Sequence, residues 1–129
     1  MARPMRQASE SMVQHVTLEV RREQGQECAA FWALLGFERV EPPASLADRA
    51  AWLQHGATQI HLMWVEDPVV LPRGHVAVVL DDWEVALESL RAAGHEPEPR
   101  RAHWGSPRAY VHDPAGNLVE LMAFPPGEG

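Results

Sequence analysis

Four side chains of the 129-residue sequence have types and spacing that suit metal chemistry: His15, His61, His75 and Glu120. His15 opens the apolar–polar alternation His15-Val16-Thr17-Leu18-Glu19-Val20, and His75 opens His75-Val76-Ala77-Val78-Val79-Leu80, 60 positions later. His61 and Glu120 stand 59 positions apart in two further alternating runs. Alternation predicts strands, and successive side chains of a strand point to opposite faces. Val16, Leu18 and Val20 then form an apolar face, with His15, Thr17 and Glu19 opposite. Val76, Val78 and Leu80 do the same opposite His75, Ala77 and Val79. His61 shares its face with Gln59 and Met63, and Glu120 shares its face with Leu118 and Met122. A carboxylate in an otherwise apolar strand is costly unless it is paired or coordinated. Three imidazoles and one carboxylate suit Zn²⁺, Ni²⁺, Fe²⁺, Co²⁺ or Mn²⁺, whereas calcium asks for more oxygen ligands.

The elements that must position these groups come in duplicate. A helical stretch follows each first strand. One carries Cys28, Phe31, Trp32 and Leu35 and stops at Gly36; the other carries Ala86, Leu87 and Leu90 and stops at Gly94. Glycine just past a helix is the usual C-terminal stop. Asp81 with Glu84 three positions later reads as a capping box for the second helix. Short polar strands follow, 37–41 and 95–100. Each half then closes with a hairpin: 50–55 and 58–65 around Gly56, and 108–112 and 117–124 around Asp113-Pro114-Ala115-Gly116. The proline early and glycine late in that second turn match a turn with a left-handed residue. The predicted fold is therefore α+β, a domain of two tandem βαβββ modules. The expected organisation is a flexible N-terminus over 1–12, module one over 13–65, a linker over 66–74, module two over 75–124 and a tail over 125–129. If the first and last strands of each module are neighbours, His15 meets His61 and His75 meets Glu120. Pairing of the modules then gathers all four.

Composition narrows the partners. A length of 129 residues is one domain's worth, and 46% hydrophobic residues support a packed core. With 18 acidic against 11 basic residues, net charge −7, neither nucleic acid nor an anionic membrane surface is an expected partner. All 11 basic residues are arginine, which excludes lysine Schiff-base catalysis. Cys28 is the single cysteine, so no internal disulfide forms and no cysteine-rich zinc site exists. No apolar signal segment or membrane-length run is visible, and the expected location is cytoplasmic.

The strings His15-Val16-Thr17-Leu18, Phe31-Trp32-Ala33-Leu34-Leu35-Gly36-Phe37, Gly74-His75-Val76-Ala77 and Asp113-Pro114-Ala115-Gly116-Asn117-Leu118-Val119-Glu120-Leu121 resemble the vicinal oxygen chelate superfamily, which unites glyoxalase I, bleomycin-resistance proteins and extradiol dioxygenases. The resemblance covers nearly everything after Met12. It implies two modules forming a curved sheet around a cleft, often assembled across a homodimer, with one metal ligand on the first and last strand of each module, here His15, His61, His75 and Glu120. Bacterial glyoxalase I usually carries glutamate at the position of His61. The leading expectation is a metal-dependent glyoxalase-like lyase or isomerase acting on a small oxygenated substrate. Glu120 would be the catalytic base, or a metal-bound hydroxide in its place. The alternatives are a metal-independent, antibiotic-binding resistance protein, with Trp64, Trp83 and Trp104 as stacking surfaces, and an Fe(II) extradiol-type dioxygenase. Met63, Met122, Trp52, Tyr110 and Arg108 are the expected pocket residues. Arg100, Arg101 and Arg108 read either as a guide for an anionic substrate or as a solvated patch. His55, His95, His103 and His112 read as solvated turn or edge histidines.

Overall fold

The computed structural model describes residues 12–127. The expected flexible segment thus lies, but for residue 12, outside the described residues, as does the end of the tail. Two four-stranded mixed sheets are present. The first contains β1 (His15–Val20), β2 (Glu38–Val40), β3 (Ala50–His55) and β4 (Thr58–Trp64), with α1 (Gly25–Leu34) between β1 and β2. The second contains β5 (Val76–Val79), β6 (Glu98–Arg100), β7 (Arg108–His112) and β8 (Leu118–Met122), with α2 (Trp83–Ala92) between β5 and β6. Strand order is β1-β4-β3-β2 in one sheet and β5-β8-β7-β6 in the other. The duplicated βαβββ pattern is therefore present, and the sheets do not close into a barrel.

In each module the first strand runs parallel to the last, and the last two form an antiparallel hairpin. The outer edges of β1 and β5 carry no strand partner within their sheets. β2 and β6 are shorter than the polar runs that suggested them, each pairing with its single neighbour at three positions. His75 stands one residue before β5.

Both helices stop where expected: Gly36 and Gly94 adopt φ of 96° and 93°, a conformation open to glycine at little cost. The start of α2 is a correction. Its N-cap is Asp82, whose carboxylate accepts the Val85 N–H at 3.2 Å, not Asp81 in a box with Glu84. Either aspartate has the right chemistry, and the turn leaving β5 selects the second.

One core serves both modules. It joins Val20, Cys28, Phe31, Trp32, Ile60 and Leu62 of the first to Leu87, Leu90, Val111, Val119 and Leu121 of the second. α1 is the bridge. It packs on α2, and Phe31 meets His95 of module two edge-on with ring centroids 5.0 Å apart. His95 is therefore partly buried packing rather than a solvated edge group. α1 also lies tight on its own sheet: a Cβ on Gly25 would come within 2.6 Å of the Trp64 ring. Trp64 thus packs on the helix side of β4, away from the face that carries His61. Burial pushes the Cys28 thiol up to about 12, with Asp113 adding to the rise, so Cys28 is packing and not a nucleophile.

Candidate functional site

The faces opposite this core carry the candidate groups. In module one, β3 and β4 are registered so that Trp52 lies directly opposite His61. The rings stack at 4.1 Å with planes 1° apart, and His15 stacks on the other side of His61 at 4.0 Å. His15 Nδ1 donates to Gln14 Oε1 at 2.7 Å, and His61 Nε2 donates to Gln59 Oε1 at 2.7 Å. Gln59 is itself held, its amide donating to Gln54 Oε1 at 2.7 Å. Each histidine thus spends one ring nitrogen on an oxygen and keeps the other. Burial lowers the His61 pKa, and neighbouring His15 lowers it further, which favours the neutral form that a metal requires.

Module two builds the other pair. His75 Nδ1 donates to the Arg73 carbonyl at 2.8 Å, so in neutral His75 the Nε2 lone pair faces outward. That Nε2 lies 2.9 Å from Glu120 Oε1. A lone pair and a carboxylate oxygen at that distance require a proton or a cation between them. The second carboxylate oxygen, Oε2, accepts Arg108 Nε at 2.8 Å. Arg108 also donates from Nη1 to the Arg101 carbonyl. Desolvation alone would raise the Glu120 pKa. The hydrogen bonds from Arg108 and His75 and their charges outweigh it, so Glu120 lies below the ordinary glutamate value of 4.5 and is ionised at neutral pH.

The turn that presents Glu120 explains the Asp-Pro-x-Gly-Asn string. The buried Asp113 carboxylate accepts the backbone N–H groups of Ala115 at 3.0 Å and Asn117 at 2.8 Å, and the Asn117 side-chain amide at 3.1 Å. These bonds fix the β7–β8 register, and with it Tyr110 opposite Glu120 and Arg108 opposite Met122.

All five expected pocket residues therefore share strand faces with the candidate ligands. Trp52 covers His61, Tyr110 tilts toward His75 at 5.5 Å, Arg108 binds Glu120, Met122 is buried, and Met63 is 39% exposed. Sequence reasoning missed the orienting groups Gln14, Gln59 and the Arg73 carbonyl. Gln59, two positions before His61 on the same face, was the legible one. It also missed Ser106, whose buried hydroxyl accepts the N–H groups of Ala123 and Phe124 at 2.9 and 3.1 Å. A cavity of about 320 Å³ between β1 and the start of β5 touches His75 but none of the other three candidates.

The structure brings His15 to His61 and His75 to Glu120. It does not bring the two pairs together: among the described residues no three histidine, cysteine, aspartate or glutamate side chains cluster as a metal site. The two modules of one chain thus carry the two pairs as separate half-sites. Each pair still fits a metal in its chemistry. Two donors at right angles on a metal with bonds of about 2.1 Å stand ~3.0 Å apart, close to the His75–Glu120 spacing. The free histidine nitrogens, and the bonds that orient the rings, match the usual outer support of a metal-ligating imidazole.

The Arg108–Glu120 pair sets a pH dependence. A carboxylate with a depressed folded pKa contributes stability that is fully present above its unfolded value. That stability is lost as pH falls through the folded one. In chelator-treated protein the melting temperature is expected to hold from neutral pH down to the ordinary glutamate value of 4.5, and to fall below it. The Arg108→Met, Glu120→Leu double variant should lose part of that acid slope. A slope identical to that of the parent would show that the pair makes no such contribution.

Residues 15–122 match the model of a family described as a glyoxalase-like domain. No curated protein matches the sequence. Among solved structures, a Bacillus anthracis protein assigned to the glyoxalase family superposes with a TM-score of 0.78 at 27% identity, covering 92% of this chain and 98% of that one. The fosfomycin resistance protein FosX of Listeria monocytogenes, a mutant complexed with Mn(II) and 1S,2S-dihydroxypropylphosphonic acid, has a TM-score of 0.68 at 22% identity, covering 90% and 94%. TnmS3, an antibiotic-binding protein from Streptomyces sp. CB03234, has 0.67 at 21%, covering 90% and 98%. With the duplicated βαβββ architecture and the match spanning both modules, the chain belongs to the glyoxalase-like family of the vicinal oxygen chelate superfamily.

Proposed function

We propose that this protein is a metal-dependent lyase or isomerase acting on a small oxygenated substrate, and that it works as a homodimer. His15 and His61 of one copy and His75 and Glu120 of the other would hold a divalent metal. The observation that carries this reading is the 2.9 Å approach of His75 Nε2 to Glu120 Oε1 while Nδ1 is committed to the Arg73 carbonyl. The unpaired edges of β1 and β5, and the exposed apolar side chains Met63 and Val79 beside the candidate ligands, supply a surface for a second copy. The Mn(II) complex of FosX supports a divalent metal on this fold.

When bound, the metal would supply Lewis acidity to two neighbouring substrate oxygens. The chain's own groups do the rest. Glu120 is ionised and fixed at Oε2 by Arg108, so Oε1, which faces His75, is the oxygen that would hold the metal, and it would have to leave the metal to take a proton from substrate. Trp52 and Gln59 lock His61 in orientation. Arg108 stays cationic, its pKa raised by its bond to Glu120, and keeps that carboxylate from drifting.

Metal analysis and light scattering test the proposal together. The purified protein is expected to hold about one divalent metal per chain, the stoichiometry of a structured zinc-type site, at twice the 14.4 kDa mass of a single chain. His15→Ala should remove metal as effectively as His75→Ala, although the two lie in different half-sites. A metal-free monomer would overturn the reading. Iron, with consumption of dioxygen, would redirect it to a dioxygenase.

A second reading has its own support: Arg108 satisfies Glu120 without any metal, and Trp52 and Tyr110 offer aromatic faces. A metal-free dimer that binds a drug-like aromatic compound would favour a sequestering protein, the role that the name of TnmS3 records for that protein.

A further inference from the structure

We propose that the arginine-lined cavity beside Glu120 is a subsite for the anionic group of the ligand, and that the ligand is a small organic oxyanion, a carboxylate or a phosphonate. This deepens the reading of the Glu120 face as the ligand face, but it does not depend on the metal. The cavity is about 320 Å³ and is lined by Pro99, Arg100, Arg101, His103, Arg108 and Tyr110. Three of the chain's 11 arginines meet there in a protein of net charge −7. Gathering like charges costs energy, and the compensation inside the chain is incomplete. Arg108 is 8% exposed and shares Glu120 with His75. Arg100 has only Glu98, exposed and 3.4 Å away. Arg101 has no ion-pair partner among the described residues.

The three guanidinium groups are not equally free. Arg108 uses Nε on Glu120 and Nη1 on the Arg101 carbonyl, and its side chain also interacts with Tyr110 of the cavity wall. Arg100 lies over the Tyr110 ring at 4.6 Å, and Arg108 lies 5.6 Å from the Trp104 ring and 5.8 Å from that of Tyr110. The aromatic faces hold the arginines in place while leaving their N–H edges for an acceptor. A guanidinium edge matches carboxylate and phosphonate oxygens, and charge-assisted bonds of this kind are the stronger ones. The volume exceeds that of a bare inorganic ion and lies in the range of small-molecule pockets. Glu120 is the joint: Oε1 faces His75, and Oε2 faces Arg108 at the cavity side. An anion seated on Arg101 and Arg108 therefore places the rest of the molecule toward the His75–Glu120 pair.

The test uses the full-length protein as purified, with benzoate and phenylphosphonate as probes and benzamide as the neutral comparison. Binding is followed by calorimetry and by the NMR shift of the Trp104 indole N–H, which donates to the Phe124 carbonyl at 2.7 Å. The anions are expected to bind about tenfold tighter than benzamide, the value of one charge-assisted hydrogen bond, and to weaken with added salt. Arg101→Ala should weaken the anions about fivefold and leave benzamide unchanged, while Glu98→Gln should tighten them. Arg101 is exposed, so its removal leaves the core intact. Equal affinity for benzoate and benzamide, or no effect of Arg101→Ala, overturns the inference. Metal content measured on the same samples keeps the two proposals apart. Arginine-dependent anion binding without metal sinks only the metal reading. Stoichiometric metal without charge discrimination sinks only this one.

Discussion

Replacing Glu120 by alanine is expected to lower the stability of metal-free protein by about 3–5 kcal/mol, the cost of stranding a buried charge. The reason is Arg108. Its side chain is 8% exposed and that of Glu120 10% exposed, and their contact is 2.8 Å. Without the carboxylate, the guanidinium keeps the Arg101 carbonyl and Tyr110 but loses its one ion-pair partner among the described residues. In a domain of this size such a loss lowers the melting temperature by more than ~10 °C. Arg108→Ala should cost a similar amount from the other side. The Arg108→Met, Glu120→Leu double variant should recover most of the loss, because removing both charges leaves neither unpaired. Two single variants that each cost under ~1 kcal/mol would show the pair to be as weak as a solvent-exposed one. The same side chain is the proposed metal ligand, so Glu120→Ala mixes two effects. Glu120→Gln keeps an oxygen acceptor for Arg108 and removes the charge. It is expected to lose metal affinity by more than ~100-fold, beyond the loss seen for supporting groups alone, with a smaller fall in stability. Chelator-treated and metal-loaded samples, melted side by side, separate the two contributions.

Trp32→Ala is expected to cost about 3–5 kcal/mol, the range for deleting a large aromatic from a packed core. Trp32 is 0% exposed and meets Phe31 and Phe37 edge-on, at centroid distances of 5.5 and 5.4 Å. Its helix is the element that joins the two modules, so the damage should not stay in module one. Denaturant unfolding followed by circular dichroism and by NMR signals from each module should show one shared transition, moved to lower denaturant. Val85→Ala is the control: Val85 lies on α2 at 57% exposure, and its loss should change stability by no more than ~0.5 kcal/mol. Two separate transitions, with module two unmoved by Trp32→Ala, would contradict a single core. The same argument says that a fragment ending at residue 65 would expose the inner side of α1 and not fold alone.

Much of this architecture was legible in the chain. Strand alternation placed His15, His61, His75 and Glu120 on faces opposite the core, since the two-residue period of a strand is a local property. Gly36 and Gly94 marked the helix ends because a left-handed residue is a local demand. The 60-position repeat supplied the duplicated module, and with it the neighbours His15–His61 and His75–Glu120. Other features needed the tertiary structure. Arg108 finds Glu120 only through the β7–β8 register, and the arginine cavity only through β6 beside β7. His95 is partly covered because Phe31 of α1 in the other module packs on it, and Trp64 packs against Gly25 on the helix side of its sheet. The separation of the two donor pairs followed from how the modules share a core, which no local pattern records. Side-chain period, turn chemistry and helix stops act over a few residues and can be read along the sequence. Which charges meet, and which half-sites stay apart, depends on packing between segments dozens of residues distant, and only the folded chain decides it.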